Sequence, residues 1–266
     1  MKFKHERLVY NKCKVLRIII AVVFIIKKLI EWIRKIALKG GNVYCCICKK
    51  SYLTFLPSGD EPQAHARCPG CNSIDRHRQI SILSNAIIAQ NNNCINLLHI
   101  APEVSLSEAF RKNKKVNYYA IDKFESGYHY PKYVQAMDLT DLKFQNGFFD
   151  LVICSHVLEH IEEDTLAIQN ILRVLKPKGI CYLVVPYFPE LEKTYQNPST
   201  NTDALRFLHY GQYDHVRKYG TDFSGRLTKA GCHVSIIYFK DNYSKPEQIK
   251  LGFLNAELIF QIAKKD

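Results

Sequence analysis

The chain has 266 residues, 47% of them hydrophobic, enough for one large domain with attachments. Its formal charge of +12 sits mostly in residues 1–40, which hold eleven Lys and Arg against two acids, while residues 41–266 hold 26 against 23. A body so nearly balanced argues against a broad cationic nucleic-acid face, though not a local patch, and ten cysteines in a chain this long do not describe a disulfide scaffold.

Residues 15–38 read VLRIIIAVVFIIKKLIEWIRKIAL. The uninterrupted apolar run, Ile18 to Ile26, is nine residues long, where a bilayer span needs about twenty. Lys27 and Lys28 inside a span would each cost roughly 2.5–3.5 kcal/mol. Beyond them the pattern becomes amphipathic, Leu29, Ile30, Ile33 and Ala37 against Lys28, Glu31, Arg34 and Lys35, with Trp32 suited to an interface. The expectation is an in-plane or oblique anchor facing anionic headgroups. A helix packed on the body or on a dimer partner, and a true span, are the alternatives. The apolar segment is flanked by charge and lacks a small-residue exit, so no secretory signal is read. The chain is expected in the cytoplasm, peripheral to the inner face of the membrane.

Cys45-x-x-Cys48 and Cys68-x-x-Cys71 are separated by nineteen residues. Each C-x-x-C bends the backbone so that two thiolates meet one tetrahedral ion, and the two pairs predict a closed zinc site of a small ribbon. With no open coordination position, its role would be structural or recognitional. Cys46 is a bystander by spacing, although it could replace Cys45; reduced, buried cysteines are the alternative. Cys94, Cys154 and Cys181 lie scattered in apolar stretches, consistent with a reducing compartment. The segment DRHRQISILSNAI then predicts a helix that begins basic and turns apolar.

From residue 94 strands and helices alternate. CINLLHIAP predicts a first strand, SLSEAFRKN a helix, and VNYYAID a second strand ending in Asp122. VQAMDLTDL contains a third, with Asp138 at its end; FDLVICSHV is the fourth, LAIQNILRVLKPKG an amphipathic helix and ICYLVVPY the fifth. GCHVSIIYFKDNY and AELIFQIAKK read as closing strands. This order predicts a parallel doubly wound sheet with ligands at the carboxyl ends of the strands. The expected organisation is a leader over 1–40, a zinc ribbon over 41–80, and a sheet domain over 81–266 with an insertion at about 187–225.

FDLVICSHVLEHI followed by ILRVLKPKGICYLVVP resembles the class I S-adenosylmethionine-dependent methyltransferases, over about residues 94–190. CPGCNSIDRHR, LLHIAPE and YGQYDHVRKYG resemble one bacterial subgroup with an N-terminal zinc ribbon, many of whose members are linked to surface-glycan synthesis. The resemblance implies a Rossmann-like sheet and S-adenosylmethionine as cofactor. It places Asp122 at the ribose hydroxyls, where a carboxylate offers two acceptors to a vicinal diol, and Asp138 with Leu139 at the adenine. A strand-end aspartate capping the next helix is the alternative for each. The family's first-strand loop is normally glycine-rich; here His99, Ala101, Pro102 and Glu103 must shape a variant cofactor loop, and Ser155 starts the lip of the crevice.

His156, Glu159 and His160 are spaced i, i+3, i+4, so a helix would put them on one face. Methyl transfer to a hydroxyl needs a base, and a neutral imidazole suits it, so His156 is the first candidate, with Glu159 or His160 as its orienting partner. A second reading is a divalent ion, since some related methyltransferases use a Glu-x-x-Glu-His cluster in which His156 here replaces the first Glu; a capped helix is the third. In FLHYGQYDHVRKYG, Asp214 and His215 could form an acid–base pair and Arg217 could grip a carboxylate or phosphate. His209 and Tyr213 join Arg217 as substrate-binding candidates, since aromatics beside polar groups suit sugar faces, against the alternative of a solvated loop.

The expected function is O-methylation of a glycan or lipid-linked glycan precursor at the cytoplasmic membrane face. An RNA methyltransferase with a zinc module would need a basic, aromatic-lined path, which the charge balance opposes. A non-catalytic, membrane-tethered binding protein has only the glycine-free loop in its favour.

Overall fold

The computed structural model describes residues 22–58, 63–125, 129–254 and 257–265. A helix, α1, covers residues 22–37; residues 15–21 of the expected anchor lie outside the described ones. Its apolar side chains, among them Phe24, Ile25, Leu29 and Trp32, are exposed. Its last turns touch the cysteine segment, Arg34 donating to Pro69 O at 3.2 Å and to Asn72 Oδ1 at 2.8 Å. No described helix is long and apolar enough to cross a membrane.

Two antiparallel ladders follow: β1 (Lys39–Cys45) with β2 (Lys50–Tyr52), and β3 (Leu56–Ser58) with β4 (Gln63–Arg67). Val43, Cys45, Tyr52, Phe55 and Cys68 form a small core between them. Helix α2 (Asp75–Gln90) runs across the expected boundary at residue 80. Its apolar part, Ile80 and Ile88, joins the core of the main sheet. Its first turns carry Arg78, which is wholly buried. That guanidinium donates to Ser73 O, Ala66 O, Leu251 O and Gly252 O, each at 2.9 Å, and lies 4.2 Å over the Phe55 ring. A buried cation with satisfied donors thus ties the cysteine segment to helix α7 (Lys245–Leu251).

The main sheet has seven strands. Five are parallel: β5 (Ile95–Ile100), β6 (Val116–Asp122), β7 (Val134–Ala136), β8 (Phe149–Ser155) and β9 (Leu175–Val184). With β10 (Cys232–Ile237) and β11 (Ile259–Lys264) the order is β10-β11-β9-β8-β5-β6-β7. The five strands expected in a parallel arrangement are parallel, and the two closing strands make the sheet as a whole mixed. Strand β11 enters opposite Ile237, where β10 ends, and inserts between β9 and β10, antiparallel to both.

Strands with runs such as INLLHI and DLVICS are apolar on both faces because both faces are covered. Leu98, Ile100, Val152 and Cys154 pack beneath α4 (Asp164–Val174) and α6 (Phe223–Lys229). Leu97, Leu151 and Ile153 pack beneath α2 and α3 (Val104–Arg111). Each fully buried Leu or Ile contributes about 1.5–3 kcal/mol. Between β9 and α6 the chain makes the short helix α5 (Asp203–Tyr210), whose C-cap Gly211 takes the left-handed conformation.

Candidate active site

A cavity of about 520 Å³ opens over the carboxyl ends of β5, β6 and β8. At one end stand Ala101, Asp122, Met137, Asp138 and Leu139. Asp122 is the last residue of β6, and its Oδ1 accepts from Phe124 N at 3.3 Å. Asp138 accepts from Thr140 N at 2.8 Å and Thr140 Oγ1 at 2.7 Å, and the backbone amide first among these holds its pKa below the ordinary value. Ala101 takes φ +47°, the left-handed conformation that glycine usually supplies, and its N–H bonds Ile121 O at 2.9 Å. An alanine there stores about 1–2 kcal/mol of strain. These residues suit the cofactor implied by the family resemblance: carboxylate acceptors, an apolar floor and a tight loop at the ends of parallel strands.

His99, Glu103 and Ser155 are not among the residues lining this cavity. Side chains alternate across the sheet, so His99 follows Leu97 to the α3 side and is wholly buried. It lies 2.7 Å from Glu103 Oε2 and 3.0 Å from the Tyr118 hydroxyl, while His77 stands 3.6 Å from Glu103 Oε1. Burial would raise the Glu103 pKa, but the hydrogen bond and charge of His99, with His77, lower it to about 2. His99 and Glu103 therefore brace the loop from behind. Ser155 is buried, its hydroxyl without a partner among the described residues.

At the other end of the cavity are His156, His160, Glu162 and Asp214. The expected helix face for His156, Glu159 and His160 is replaced by a bend and a single 3-10 turn, Leu158–His160, with His156 at φ +53°. The cause lies in Arg217. It is wholly buried, donating to Leu158 O at 3.0 Å and Glu162 O at 2.7 Å, with Ile161 O also in the fork and Gln196 Oε1 at 3.2 Å. Val216 N bonds Glu159 O at 2.8 Å. Carbonyls that would continue a helix are thereby taken by residues 216 and 217. Arg217 is a structural clamp under the turn, and the expectation that it grips substrate is corrected.

His156 Nε2 lies 2.7 Å from Glu257 Oε2 and Nδ1 3.2 Å from Glu159 Oε1. Burial would lower its pKa, but the two carboxylates outweigh that and raise it to about 9. Both carboxylates favour its charged form, which stands against the neutral base expected there. Glu257 has no sequence signal, because its partner lies 101 residues away. Asp214 and His215 flank His160 instead of pairing with each other. Asp214 Oδ2 is 3.2 Å from His160 Nδ1, and the His215 ring stands edge-on to His160 with centroids 4.7 Å apart. His209 and Tyr213 are outside the cavity wall; His209 Nδ1 meets the Tyr195 hydroxyl at 2.8 Å, and Tyr213 is exposed.

The Sγ atoms of Cys45, Cys48, Cys68 and Cys71 lie within 4.8 Å of one another, with Cys45–Cys71 at 3.6 Å and Cys48–Cys68 at 3.7 Å. Four thiolates about 2.3 Å from a tetrahedral zinc stand about 3.8 Å apart, so this set fits such an ion. Cys46 points instead at Arg78 O, and burial pushes its thiol up to about 12.

Residues 94–183 match the family profile described as a methyltransferase domain. No curated protein matches the chain. Among solved structures, the YcgJ protein of Bacillus subtilis is similar at 16% identity, over 71% of this chain and 100% of that one, with a TM-score of 0.47. The 1,6-didemethyltoxoflavin-N1-methyltransferase of Burkholderia thailandensis is similar at 14% identity, over 72% of this chain and 79% of that one, also with a TM-score of 0.47. The domain match and the strand order define a class I S-adenosylmethionine-dependent methyltransferase fold, and the protein is an S-adenosylmethionine-dependent enzyme.

Proposed function

We propose that the protein transfers the methyl group of S-adenosylmethionine to a hydroxyl of a glycan or lipid-linked glycan precursor at the cytoplasmic face of the membrane. The observation that carries this reading is the cavity, with Asp122 and Asp138 at one end and His160 with Asp214 at the other. S-adenosylmethionine supplies an electrophilic methyl group when bound. Asp122 would hold the ribose diol, and Asp138 with Leu139 the adenine. His160, held at Nδ1 by Asp214, would face the acceptor hydroxyl. Glu125, Glu162 and Glu163 join the wall beside Lys123 and His156, an excess of acids that disfavours polyanions and admits uncharged sugars. Leu205, Phe207 and Leu208 of α5 are exposed beside this end, where Arg206 pairs with Glu162 at 3.3 Å, and suit a lipid carrier.

The cysteine cluster would hold a structural zinc as the centre of a ribbon over 41–80, and α1 with the basic leader would rest on the membrane surface. The test is calorimetric titration of S-adenosylmethionine and its demethylated product into the wild type and Asp122→Ala. Binding in the wild type, weakened at least about tenfold in the variant, is expected; loss of one charge-assisted bond predicts about 1.5–3 kcal/mol. Equal binding by both would remove Asp122 from the site. Labelled methyl transfer to membrane glycan fractions, with RNA as the comparison, then decides the acceptor.

A further inference from the structure

We infer that Glu159, His160 and His215 form a second metal site, separate from the cysteine cluster, for a divalent transition-metal ion at the acceptor end of the cavity. The inference rests on the methyl-transfer reading for its role, but not for its existence. One donor atom from each of the three residues falls within 4.8 Å of the others. Glu159 and His160 are neighbours in sequence, and His215 is brought to them by the Arg217 clamp and the Val216–Glu159 backbone bond.

Two further observations point to an ion. Glu159 is wholly buried, and neither carboxylate oxygen accepts an aligned hydrogen bond among the described residues. His156 Nδ1 stands 3.2 Å from Oε1 as an ion pair out of hydrogen-bond alignment, and His160 Nε2 is 4.0 Å away. Oε2 of this buried carboxylate has no partner among the described residues, and a dication between it and the imidazoles of His160 and His215 would satisfy it. Asp214 meanwhile holds His160 Nδ1 at 3.2 Å, which leaves Nε2 as the nitrogen facing Glu159. A carboxylate on one ring nitrogen with the other nitrogen on the ion is the usual outer-shell arrangement of a metal-bound histidine.

Ligand atoms about 2.1 Å from one ion stand about 3–3.5 Å apart, so binding would draw the three donors together by about an ångström. Two nitrogens and one carboxylate favour zinc, manganese, cobalt or ferrous ions over magnesium and calcium. Three protein ligands leave coordination positions open, and of the three only His160 belongs to the cavity wall, so an acceptor would reach the ion past His160. An acceptor hydroxyl taking one of them ionises more readily. Its proton leaves to solvent, the O–CH3 bond forms as the S–CH3 bond of the sulfonium breaks, and the electron pair of that bond stays on the thioether sulfur.

The experiment titrates Mn2+ into the full chain with its cysteine cluster already filled by zinc, following loss of the free-ion paramagnetic resonance signal. Glu159→Gln, His160→Gln and His215→Ala are measured alongside, each with calorimetric S-adenosylmethionine binding. The expected result is one Mn2+ per chain in the wild type, at least tenfold weaker binding in the variants, and unchanged cofactor affinity. His160 is partly exposed, so its variant should fold even if a buried substitution does not. No Mn2+, Co2+ or Zn2+ bound beyond the cysteine-held ion, or wild-type affinity in His160→Gln, overturns the site. Metal binding without S-adenosylmethionine binding would leave the site standing and defeat the methyl-transfer reading; the reverse result would do the opposite.

Discussion

Arg217 carries the largest difference between what a residue suggests in sequence and what it does in place. An arginine among tyrosines and histidines reads as a substrate fork, yet the same planar donors serve backbone carbonyls when the side chain is enclosed. Its guanidinium meets the carbonyls of Leu158, Ile161 and Glu162 and lies 3.5 Å from Asp164 Oδ2. Asp164 is also bound by Arg226 at 2.7 Å and the Tyr219 hydroxyl at 3.0 Å. Arg217→Ala should therefore lower stability by about 3–5 kcal/mol in urea unfolding, because it leaves these acceptors buried and unpaired. Arg217→Lys should recover only part of that, lacking the fork. Wild-type stability in both, with a raised KM for acceptor alone, would return Arg217 to the substrate. The positions of Asp122 and Asp138 at or just beyond strand ends were legible because strand-end position is a local property. The pairings His160–Asp214 and His156–Glu257 were not, since each joins residues from different elements.

At the scale of elements, strand positions follow from apolar runs ended by Pro, Asp or Ser, and β5, β6, β8 and β9 occur where those runs lie. The turn after β8 shows the limit of periodicity. An i, i+3, i+4 spacing requires a helix to have meaning, and here the carbonyls go to another segment. Helix α1 presents Ile25, Leu29, Trp32 and Ile36 at i, i+4, i+7 and i+11, all exposed. Trp32 is the single tryptophan, so its emission reports on this face alone. With anionic vesicles the emission should shift to the blue and the full chain should sediment with them. Ile25→Glu with Leu29→Glu should weaken that binding by at least about tenfold, as each buried side chain contributes about 1.5–3 kcal/mol. No shift and no sedimentation would mean that the helix covers a protein surface instead.

At the scale of the whole molecule, the cysteine segment is joined to the sheet domain through Arg78, which reaches Leu251 and Gly252 across the chain. A metal lost from the cysteines should therefore disturb α7 as well as the small ladders. Chelation, or Cys48→Ser, should lower the melting temperature by about 10 °C or more, with zinc restoring the chelated wild type but not the variant. An unchanged melting temperature after complete metal removal would make the cluster a set of reduced thiols. The sequence by itself determined what is encoded within a few residues: the alternating elements of an α/β domain, the paired cysteines, the acids at strand ends and the amphipathic leader segment. Period, spacing and chain-terminating residues carry that information locally. Only the tertiary structure decided the direction of β11, the turn at Leu158–His160, the bracing of the loop after β5 by His99 and Glu103, and the company of Glu159. Those depend on which distant segment supplies a donor to a buried acceptor, and no local pattern records that choice.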